Sequence, residues 1–250
     1  MIRLSVNVNK VATLRNSRGG GVPSVLEAVN VCVAAGAPGI TVHPRADRRH
    51  ITPEDVRAIA RALRAGSPGV EYNIEGDPRA DFLDLVEEVR PDQCTLVPVV
   101  PGEITSQAGW RPGRATDQIP KIVERLHGVG VRVSLFVDAQ PDAIRWAAAA
   151  TADRVELYTE PFARAFERGA ESGRQSFAGF VETAHLAHSL GLGVNAGHDL
   201  DLTNLVMFRE LPSLDEVSIG HAIISRALFV GLAVVVREYL DVIAAGGRGV

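Results

Sequence analysis

The fold is decided by the stretch GITVHPRADRRHI, residues 39–51, in which a short apolar strand runs directly into a cluster of ionisable groups. A β-branched run such as residues 40–42 is typical of a strand buried on both faces, in a parallel sheet covered by helices. Thr52 and Pro53 then suit the N-cap and the first position of a helix. The stretch therefore predicts a strand, a charged loop at its carboxyl end and a helix, which is where α/β enzymes bind their ligands.

Strand-like runs recur along the whole chain at a mean spacing of roughly 30 residues, the length of a strand plus its crossover helix. The predicted strands are Leu4–Val8, Gly39–Val42, Val70–Ile74, Gln93–Val97, Val131–Val137, Arg154–Tyr158, Leu192–Asn195 and Glu216–Ile219. The predicted helices are Val25–Ala35, Pro53–Arg64, Ala80–Val89, Ile119–His127, Pro141–Ala149, Gln175–Leu190, Leu202–Arg209 and Ala222–Ala245. This alternation predicts a single-domain (β/α)8 TIM barrel over residues 1–250, with a doubly wound open sheet as the alternative.

Composition narrows the class of protein. The 250 residues carry a net charge of -4 with a pI near 6.0, which disfavours a nucleic-acid partner. Cys32 and Cys94 lie in apolar segments and are interpreted as buried free thiols rather than a disulfide. The amino terminus lacks a leader pattern, and the longest apolar run, Ala227–Val236, is too short to span a bilayer. We expect a soluble, cytoplasmic protein without a membrane partner.

Polar and ionisable residues stand at the carboxyl ends of the predicted strands: Asn7, Asn9, His43, Glu75, Asp138, Glu156, His198 and His221. Their convergence on one mouth of a barrel would build a site. His43 and His198 are the natural proton carriers, because imidazole titrates near neutral pH. Glu75 ends an otherwise buried strand, so it is interpreted as a base or as half of an ion pair, and Glu156 is open to the same two interpretations.

Two groups of residues suggest anion sites. Gly197 precedes His198 after the seventh strand and Gly220 precedes His221 after the eighth, the two places where barrels commonly bind phosphate through backbone N–H groups. A second anion site would use basic side chains of the first two loops: Arg15, Arg18, Arg45 and His50. A solvated surface explains each arginine equally well.

Lys10 stands out because the chain has 24 arginines and only two lysines. Placed at the mouth of the first strand, it could contact phosphate, form a Schiff base if desolvated, or be retained by chance. Two long segments, Pro98–Gln118 and Thr159–Arg174, are rich in glycine, proline and charge and are interpreted as binding loops, lids or plain surface loops.

No metal or organic cofactor is predicted. His185 and His188 lie three residues apart without a carboxylate in a recognised ligand arrangement, and no paired CxxC or HExxH occurs. A Rossmann or Walker glycine pattern is also missing after every predicted strand.

Eight segments together carry a resemblance to a known family. They are SVNVNKVATLRNSRG, GITVHPRADRRHI, NIEG, LVPVVPGEITS, VSLFVDA, VELYTE, LGLGVNAGHDL and EVSIGHAIISRAL, in this order over nearly the whole chain. They closely resemble the pyridoxine 5'-phosphate synthase family. The resemblance implies a (β/α)8 barrel, an octameric assembly and no cofactor. It also implies the condensation of 1-deoxy-D-xylulose 5-phosphate with 3-amino-2-oxopropyl phosphate to pyridoxine 5'-phosphate, phosphate and water.

The resemblance also implies roles for individual residues. His43 and Glu75 match proton acceptors, His198 matches the proton donor, and Glu156 matches the carboxylate that stabilises a transition state. The positions that match contacts to the aminoketone phosphate are Asn7, Arg18, Gly220 and His221, with Asp199 at a further contact position where other members carry glycine. The positions that match contacts to the pentulose phosphate are Arg45, His50 and Thr105.

One departure concerns the pentulose phosphate site. Many members carry an Asp-His pair after the first strand, where this chain has Asn9 and Lys10. An acceptor-only carboxylate becomes an amide and a titratable imidazole becomes an ammonium, so the second substrate is the least secure inference. Two other functions stay open at this point: a lyase or aldolase-like barrel that forms an imine on Lys10, and a phosphate-binding barrel without turnover.

Overall fold

The computed structural model describes residues 1–98, 108–113 and 116–246, and it forms a closed barrel of parallel strands. The strands are β1 (Arg3–Asn7), β2 (Gly39–Val42), β3 (Glu71–Gly76), β4 (Gln93–Leu96), β5 (Arg132–Val137), β6 (Arg154–Leu157), β7 (Gly193–Ala196) and β8 (Leu214–Ile219). The helices are α1 (Asn9–Asn16), α2 (Val25–Ala34), α3 (Pro53–Gly66), α4 (Ala80–Val89), α5 (Ile119–His127), α6 (Pro141–Ala149), α7 (Glu160–Glu167), α8 (Ala170–Ser189), α9 (Leu205–Phe208), α10 (His221–Val230) and α11 (Leu232–Ala245).

Closure follows sequence order, because each strand pairs with the next and β1 pairs with β8. In the closing pair Ser5 lies opposite Ser218, and Val6 lies opposite Ile219. The predicted (β/α)8 barrel is therefore confirmed, and the alternative open sheet was wrong. Each predicted strand corresponds to an observed one, with ends that differ by at most two residues and β2 matched at both ends.

The apolar core lies outside the barrel, between the strands and the helices. Residues of one strand face, such as Leu4, Val6 and Ile40, are fully buried in this layer. The alternate residues face the interior of the barrel, where hydroxyls and amides replace the usual branched apolar side chains. There the Asn73 Nδ2 group donates to Thr41 Oγ1 at 3.3 Å, and Thr95 Oγ1 donates to the Asn73 side-chain oxygen at 3.1 Å. The interior is thus a polar column.

Two segments predicted as loops are helical. The residues after β1 form α1, because Val11 and Ala12 are buried on one side of it. Much of the predicted loop Thr159–Arg174 forms α7 and the first turn of α8. Pro161 does not break α7, since it lies in the first turn, where its missing N–H would have no helical partner. The predicted loop Pro98–Gln118 lies partly outside the described residues.

The carboxyl-terminal helical segment is also divided. A single helix was predicted over Ala222–Ala245, but the structure has α10 and α11 with Gly231 between them. Gly231 has φ +89°, a left-handed conformation that an L side chain rarely adopts. The two cysteines, Cys32 and Cys94, are buried free thiols as predicted.

The start of α3 was predicted correctly, and it fixes the charged loop after β2. Thr52 is the N-cap and accepts a hydrogen bond from the Asp55 N–H, while the Asp55 carboxylate accepts one from the Thr52 N–H. The same carboxylate accepts two hydrogen bonds from Arg15, at 2.6 and 2.9 Å. Asp55 therefore joins the end of α1 to the start of α3, and so frames two sides of the barrel mouth.

Replacing Asp55 by alanine should lower the free energy of unfolding by about 2–3 kcal/mol, since it removes both a helix cap and the partner of a nearly buried arginine. The side chains of Arg15 and Asp55 are only 13% and 15% exposed, so water replaces little of the lost interaction. Urea unfolding followed by circular dichroism measures the change.

Asp142 provides the matched control, because it also lies in the first turn of a helix, α6, and pairs with Arg145. Its side chain is 95% exposed, so Asp142→Ala should cost no more than about 0.5 kcal/mol. Equal losses for the two variants would contradict the structural role given to Asp55.

Candidate functional site

A cavity of about 760 Å³ opens at the carboxyl ends of the strands. Its lining includes most of the residues predicted from the sequence: Asn7, Asn9, Lys10, His43, Arg45, His50, Glu75, Glu156, His198, Asp199, Gly220 and His221. These side chains come from six strands or the segments that follow them. The barrel therefore brings the predicted acid-base and anion-binding residues to one place, as the sequence required.

Three of the predicted positions, Arg15, Arg18 and Asp138, are not part of this lining. The Asp138 carboxylate instead accepts a hydrogen bond from the Gly109 N–H at 2.8 Å. Arg18 lies in an exposed turn after α1, outside the cavity. Arg15 was predicted to hold an anion, but its guanidinium is occupied by the Asp55 carboxylate. Thr105 lies outside the described residues.

The wall next to β1 is organised by two asparagines. The side-chain oxygen of Asn7 accepts a hydrogen bond from the Asn9 N–H at 3.0 Å, and its Nδ2 group donates to Glu75 Oε2 at 3.4 Å. Asn9 lies in the first turn of α1, and its side-chain oxygen accepts a hydrogen bond from the His43 N–H at 2.9 Å. The two amides thus fix the relative positions of Glu75 and His43.

Glu75 and Glu156 are buried carboxyl groups on the floor of the cavity. Burial, together with the nearby carboxylate of Glu216, raises the pKa of Glu75 to about 8. Burial also raises the pKa of Glu156, with further repulsion from Glu75 and Glu216. At neutral pH a proton is therefore retained on this floor, and a carboxyl group that can both give and accept protons is available there.

The imidazoles behave in the opposite way, because burial disfavours their charged form. Burial is the largest cause that lowers the pKa of His43, and the neighbouring His50 and Arg45 lower it further. The pKa of His50 falls to about 4 through burial and the charge of Arg45. His43 Nδ1 lies 4.0 Å from Glu75 Oε2. Neutral His43 is therefore poised to accept a proton beside Glu75.

One end of the cavity is formed by backbone groups. Gly220 precedes α10, and the first N–H groups of a helix have no partner within it, so an anion can accept hydrogen bonds from them. A Cβ on Gly220 would lie 2.9 Å from the Asn7 carbonyl oxygen, and one on Gly197 would lie 2.1 Å from the Ser218 carbonyl oxygen. Only glycine fits at these two positions, which supports the predicted phosphate-binding turns.

The other end of the cavity is rich in cations. Lys10, Arg45 and Arg49 line it together with His50. Asp47 is the acidic neighbour of this group, with Oδ2 3.7 Å from Arg45 Nε and 2.6 Å from an Arg49 nitrogen. Positive groups exceed negative ones here, so this end suits a second phosphate.

His198 lies between the two ends, against β6. Its ring packs edge-on against Tyr158, with 5.2 Å between the ring centroids, and its carbonyl oxygen accepts a hydrogen bond from the Thr159 hydroxyl. Its Nδ1 atom lies 3.2 Å from Asp199 Oδ2. The cavity therefore has a second proton carrier on the side opposite His43.

Sequence reasoning missed several lining residues: Thr13, Phe136, Arg164, Glu167, Asp201 and Ser218. Arg164 and Glu167 were missed because α7 was read as a loop, although the spacing of Phe162 and Phe166 is that of a helix face. Ser218 faces inward on β8, a position that the alternation of strand residues could have identified.

Membrane-spanning helices and metal-ligand clusters are both missing from the described ranges. No helix there is long and apolar enough to cross a bilayer. In the same part of the chain, no group of three or more His, Cys, Asp or Glu side chains is arranged to hold a metal ion.

Solved structures with the same architecture share little sequence with this chain. Phosphoribosyl anthranilate isomerase from Thermus thermophilus superposes with a TM-score of 0.61 and 19% identity, over 98% of this chain and 99% of the isomerase. At this identity the likeness concerns the fold alone. It agrees with a (β/α)8 barrel and carries no argument about the reaction.

Sequence relatives are far closer. Pyridoxine 5'-phosphate synthase of Porphyromonas gingivalis is 51% identical over 245 residues, 98% of this chain and 100% of the relative. The enzyme of the same name from Leptospira biflexa is 48% identical, over 99% of each chain. Residues 4–245 also match the profile of the family described as pyridoxal phosphate biosynthesis protein PdxJ. The resemblance seen in the sequence is thus confirmed, and the chain belongs to the PdxJ family of pyridoxal phosphate biosynthesis proteins.

Proposed function

We propose that this barrel is a pyridoxine 5'-phosphate synthase. It condenses 1-deoxy-D-xylulose 5-phosphate with 3-amino-2-oxopropyl phosphate and releases phosphate and water. The observation that carries the proposal is one cavity in which two anion-binding ends flank a set of acid-base groups, in a chain about half identical to enzymes of that name. Two phosphorylated substrates need two such ends.

The chemistry needs several proton transfers at fixed places. An amine that attacks a ketone loses water only after a hydroxyl has been protonated, and ring closure needs removal of a proton from carbon. In our proposal His43 and Glu75 accept protons, and His198 donates one to the leaving oxygen. Glu156, a buried residue of the same cavity, takes the role of the group that stabilises a transition state.

The two anion ends receive different substrates in this proposal. The aminoketone phosphate binds at Asn7, Gly220, His221 and the turn that contains Asp199, which is the end formed by α10. The pentulose phosphate binds at Arg45, His50, Asn9 and Lys10. Arg18 and Thr105 belong to the proposal only through the resemblance, since Arg18 is outside the cavity and Thr105 is outside the described residues.

We also propose a homo-oligomer, an octamer by resemblance, that works in the cytoplasm. At the end of α10 the side chains of Leu228 and Phe229 are 69% and 87% exposed. Together with Val230 and Val234 they form an apolar patch of a kind that monomers seldom leave open, which supports self-association. Two free thiols without a disulfide suit a reducing compartment.

The decisive test is incubation of the purified protein with both phosphates, followed by mass detection of pyridoxine 5'-phosphate. We expect product and free phosphate with both substrates, and neither with one substrate alone. His198→Ala should abolish product while retaining the binding of each phosphate. Unchanged product formation by this variant would contradict the catalytic role, and tight binding of both substrates without product in the native protein would favour a non-catalytic barrel.

The raised pKa of Glu75 predicts a pH dependence. As a base it acts only when ionised, and with a pKa of about 8 its ionised fraction falls roughly tenfold per pH unit below that value. The kcat/KM of the native enzyme should therefore rise with pH up to about 8 and then level off. Steady-state assays between pH 6 and 9 measure this, and Glu75→Gln should abolish the rising limb together with most of the activity.

Glu216→Gln is the companion variant, because Glu216 raises the pKa of Glu75 without lining the cavity. Removing that negative charge should move the rising limb to lower pH while turnover at pH 8 is retained. If the rising part of the kcat/KM profile stays at the same pH in Glu216→Gln, ionisation of Glu75 does not determine it.

Experiments on Lys10 distinguish a synthase from a lyase that forms a Schiff base. It lies in the first turn of α1, beside Arg45 and His50, where an ammonium suits phosphate binding. Lys10→Ala should raise KM for the pentulose phosphate roughly 10-fold and change kcat little. Borohydride should not trap either substrate on the native protein. Lys121→Ala, at the only other lysine, is the matched control, and a Lys10 adduct would favour the lyase.

A further inference from the structure

The backbone at Asp199 has an unusual conformation for its residue type. Its φ is +61°, in the left-handed region that glycine adopts without strain. In an extended chain, neighbouring side chains point to opposite sides. At this turn the left-handed residue instead brings its carboxylate back, so that Asp199 Oδ2 lies 3.2 Å from Nδ1 of the preceding His198, a close contact without hydrogen-bond geometry. The protein thus tolerates an unfavourable backbone conformation at Asp199, and this conformation brings the Asp199 carboxylate next to the imidazole of His198.

The other contacts of His198 fix its backbone and the plane of its ring, but they do not decide which of two ring orientations, related by a half-turn, the imidazole adopts. The Thr159 hydroxyl fixes the His198 carbonyl, and the Tyr158 ring packs against the imidazole. An edge-on aromatic contact tolerates a half-turn of the imidazole, which exchanges Nδ1 with a carbon atom. Only a partner that distinguishes nitrogen from carbon can select one of the two ring orientations, and Asp199 is placed to do so.

The charges around the pair keep Asp199 ionised. Contact with His198 is the main cause that lowers the pKa of Asp199, and Arg164 from α7 and His221 from α10 act in the same direction. On the side of β6, the carboxylates of Glu160 and Asp138 face Tyr158. Asp199 therefore presents a negative charge to His198 throughout the working pH range.

We propose that Asp199 is a positioning residue for His198, keeping Nδ1 beside its carboxylate so that Nε2 faces the cavity as the proton donor. In the proton transfer the Nε2–H bond breaks and the proton joins the leaving oxygen of the substrate. The imidazole is left as the Nδ1–H tautomer, which the Asp199 carboxylate stabilises. The role in turnover rests on the proposed function, whereas the ring orientation and tautomer are properties of the free protein.

This role differs from that of a substrate contact. A carboxylate that faced the phosphate would repel it, whereas one that faces His198 is balanced by the imidazole. A substrate contact mainly affects KM, and a group that prepares the proton donor mainly affects kcat. A purely structural role would instead appear as a loss of stability.

Two variants at Asp199 separate orientation from charge. Asp199→Gly removes the carboxylate and relieves the left-handed conformation, so the variant should fold with an unchanged or higher Tm. Asp199→Asn retains an oxygen acceptor and tolerates the same backbone conformation, but it lacks the charge. Ser213→Gly is the matched control, because Ser213 has φ +57° and lies outside the cavity.

The first measurement is ¹⁵N NMR of histidine-labelled full-length protein without substrate, with His198 assigned through its loss in His198→Gln. At alkaline pH, native His198 should show the Nδ1–H tautomer. Asp199→Gly should shift it to the Nε2–H tautomer that free histidine prefers, and Asp199→Asn should retain the native pattern. An identical His198 spectrum in the native protein and Asp199→Gly would overturn the proposal, whatever the protein catalyses.

The second measurement is the kcat and KM of product formation. In Asp199→Gly we expect kcat to fall about 10- to 100-fold with KM nearly unchanged. Asp199→Asn should recover part of kcat, and Ser213→Gly should match the native enzyme. A change confined to KM would make Asp199 a substrate contact and overturn the positioning role. If the native protein makes no product, the proposed function fails while the NMR result still decides the placement of His198.

Discussion

Closing eight parallel strands into a ring buries four carboxyl groups in one polar column, Glu71, Glu75, Glu156 and Glu216, and the electrostatics of the site depend on this burial. Burial raises the pKa values of Glu75, Glu156 and Glu216, to about 8 for Glu75 and about 7 for Glu216, and the charge of a neighbouring carboxylate raises each further. Glu71 is paired with Arg3 and Arg132, and its charge is the one that raises the pKa of Glu216. The end of the polar column that contains Glu71 is thus an ion-pair network. At the end that opens to the cavity, Glu75 and Glu156 keep exchangeable protons.

The protein tolerates a polar barrel interior because its stability comes mainly from the apolar layer between the strands and the helices. The apolar layer between strands and helices contains the fully buried side chains, among them Phe82, Phe162 and Phe208. The helix starts are tied to the barrel mouth by separate interactions, as Asp55 shows. Burying unpaired carboxyl groups opposes folding once they ionise. The division between a stabilising outer layer and a reactive inner column lets the protein tolerate that cost where acid-base chemistry needs it.

The sequence predicted what depends on local pattern and missed what depends on contact between distant segments. Strand spacing gave the barrel, and Thr52 with Pro53 marked the start of α3. The loop reading of Thr159–Arg174 was wrong because Pro161 and dense charge concealed a helix face. The pKa of Glu75 could not be predicted, since Glu216 lies on a strand 141 residues away in the chain. The left-handed φ of Asp199 could not be predicted either, because no feature of the neighbouring residues required it.

The register of the strands decides which residues face the interior of the barrel, and this is why one fold can catalyse unrelated reactions. The anion-binding turns use backbone N–H groups and small residues at Gly197 and Gly220, which demand little from the neighbouring side chains. The acid-base set depends instead on side-chain direction, because a shift of one residue along β3 would turn Glu75 out of the column and into the apolar layer. The pairing of Glu75 with Thr95 across β3 and β4 holds it inward. The chemistry of this barrel is therefore specified by a few inward-facing positions in a fixed register, and the fold alone, shared with an isomerase at 19% identity, does not determine it.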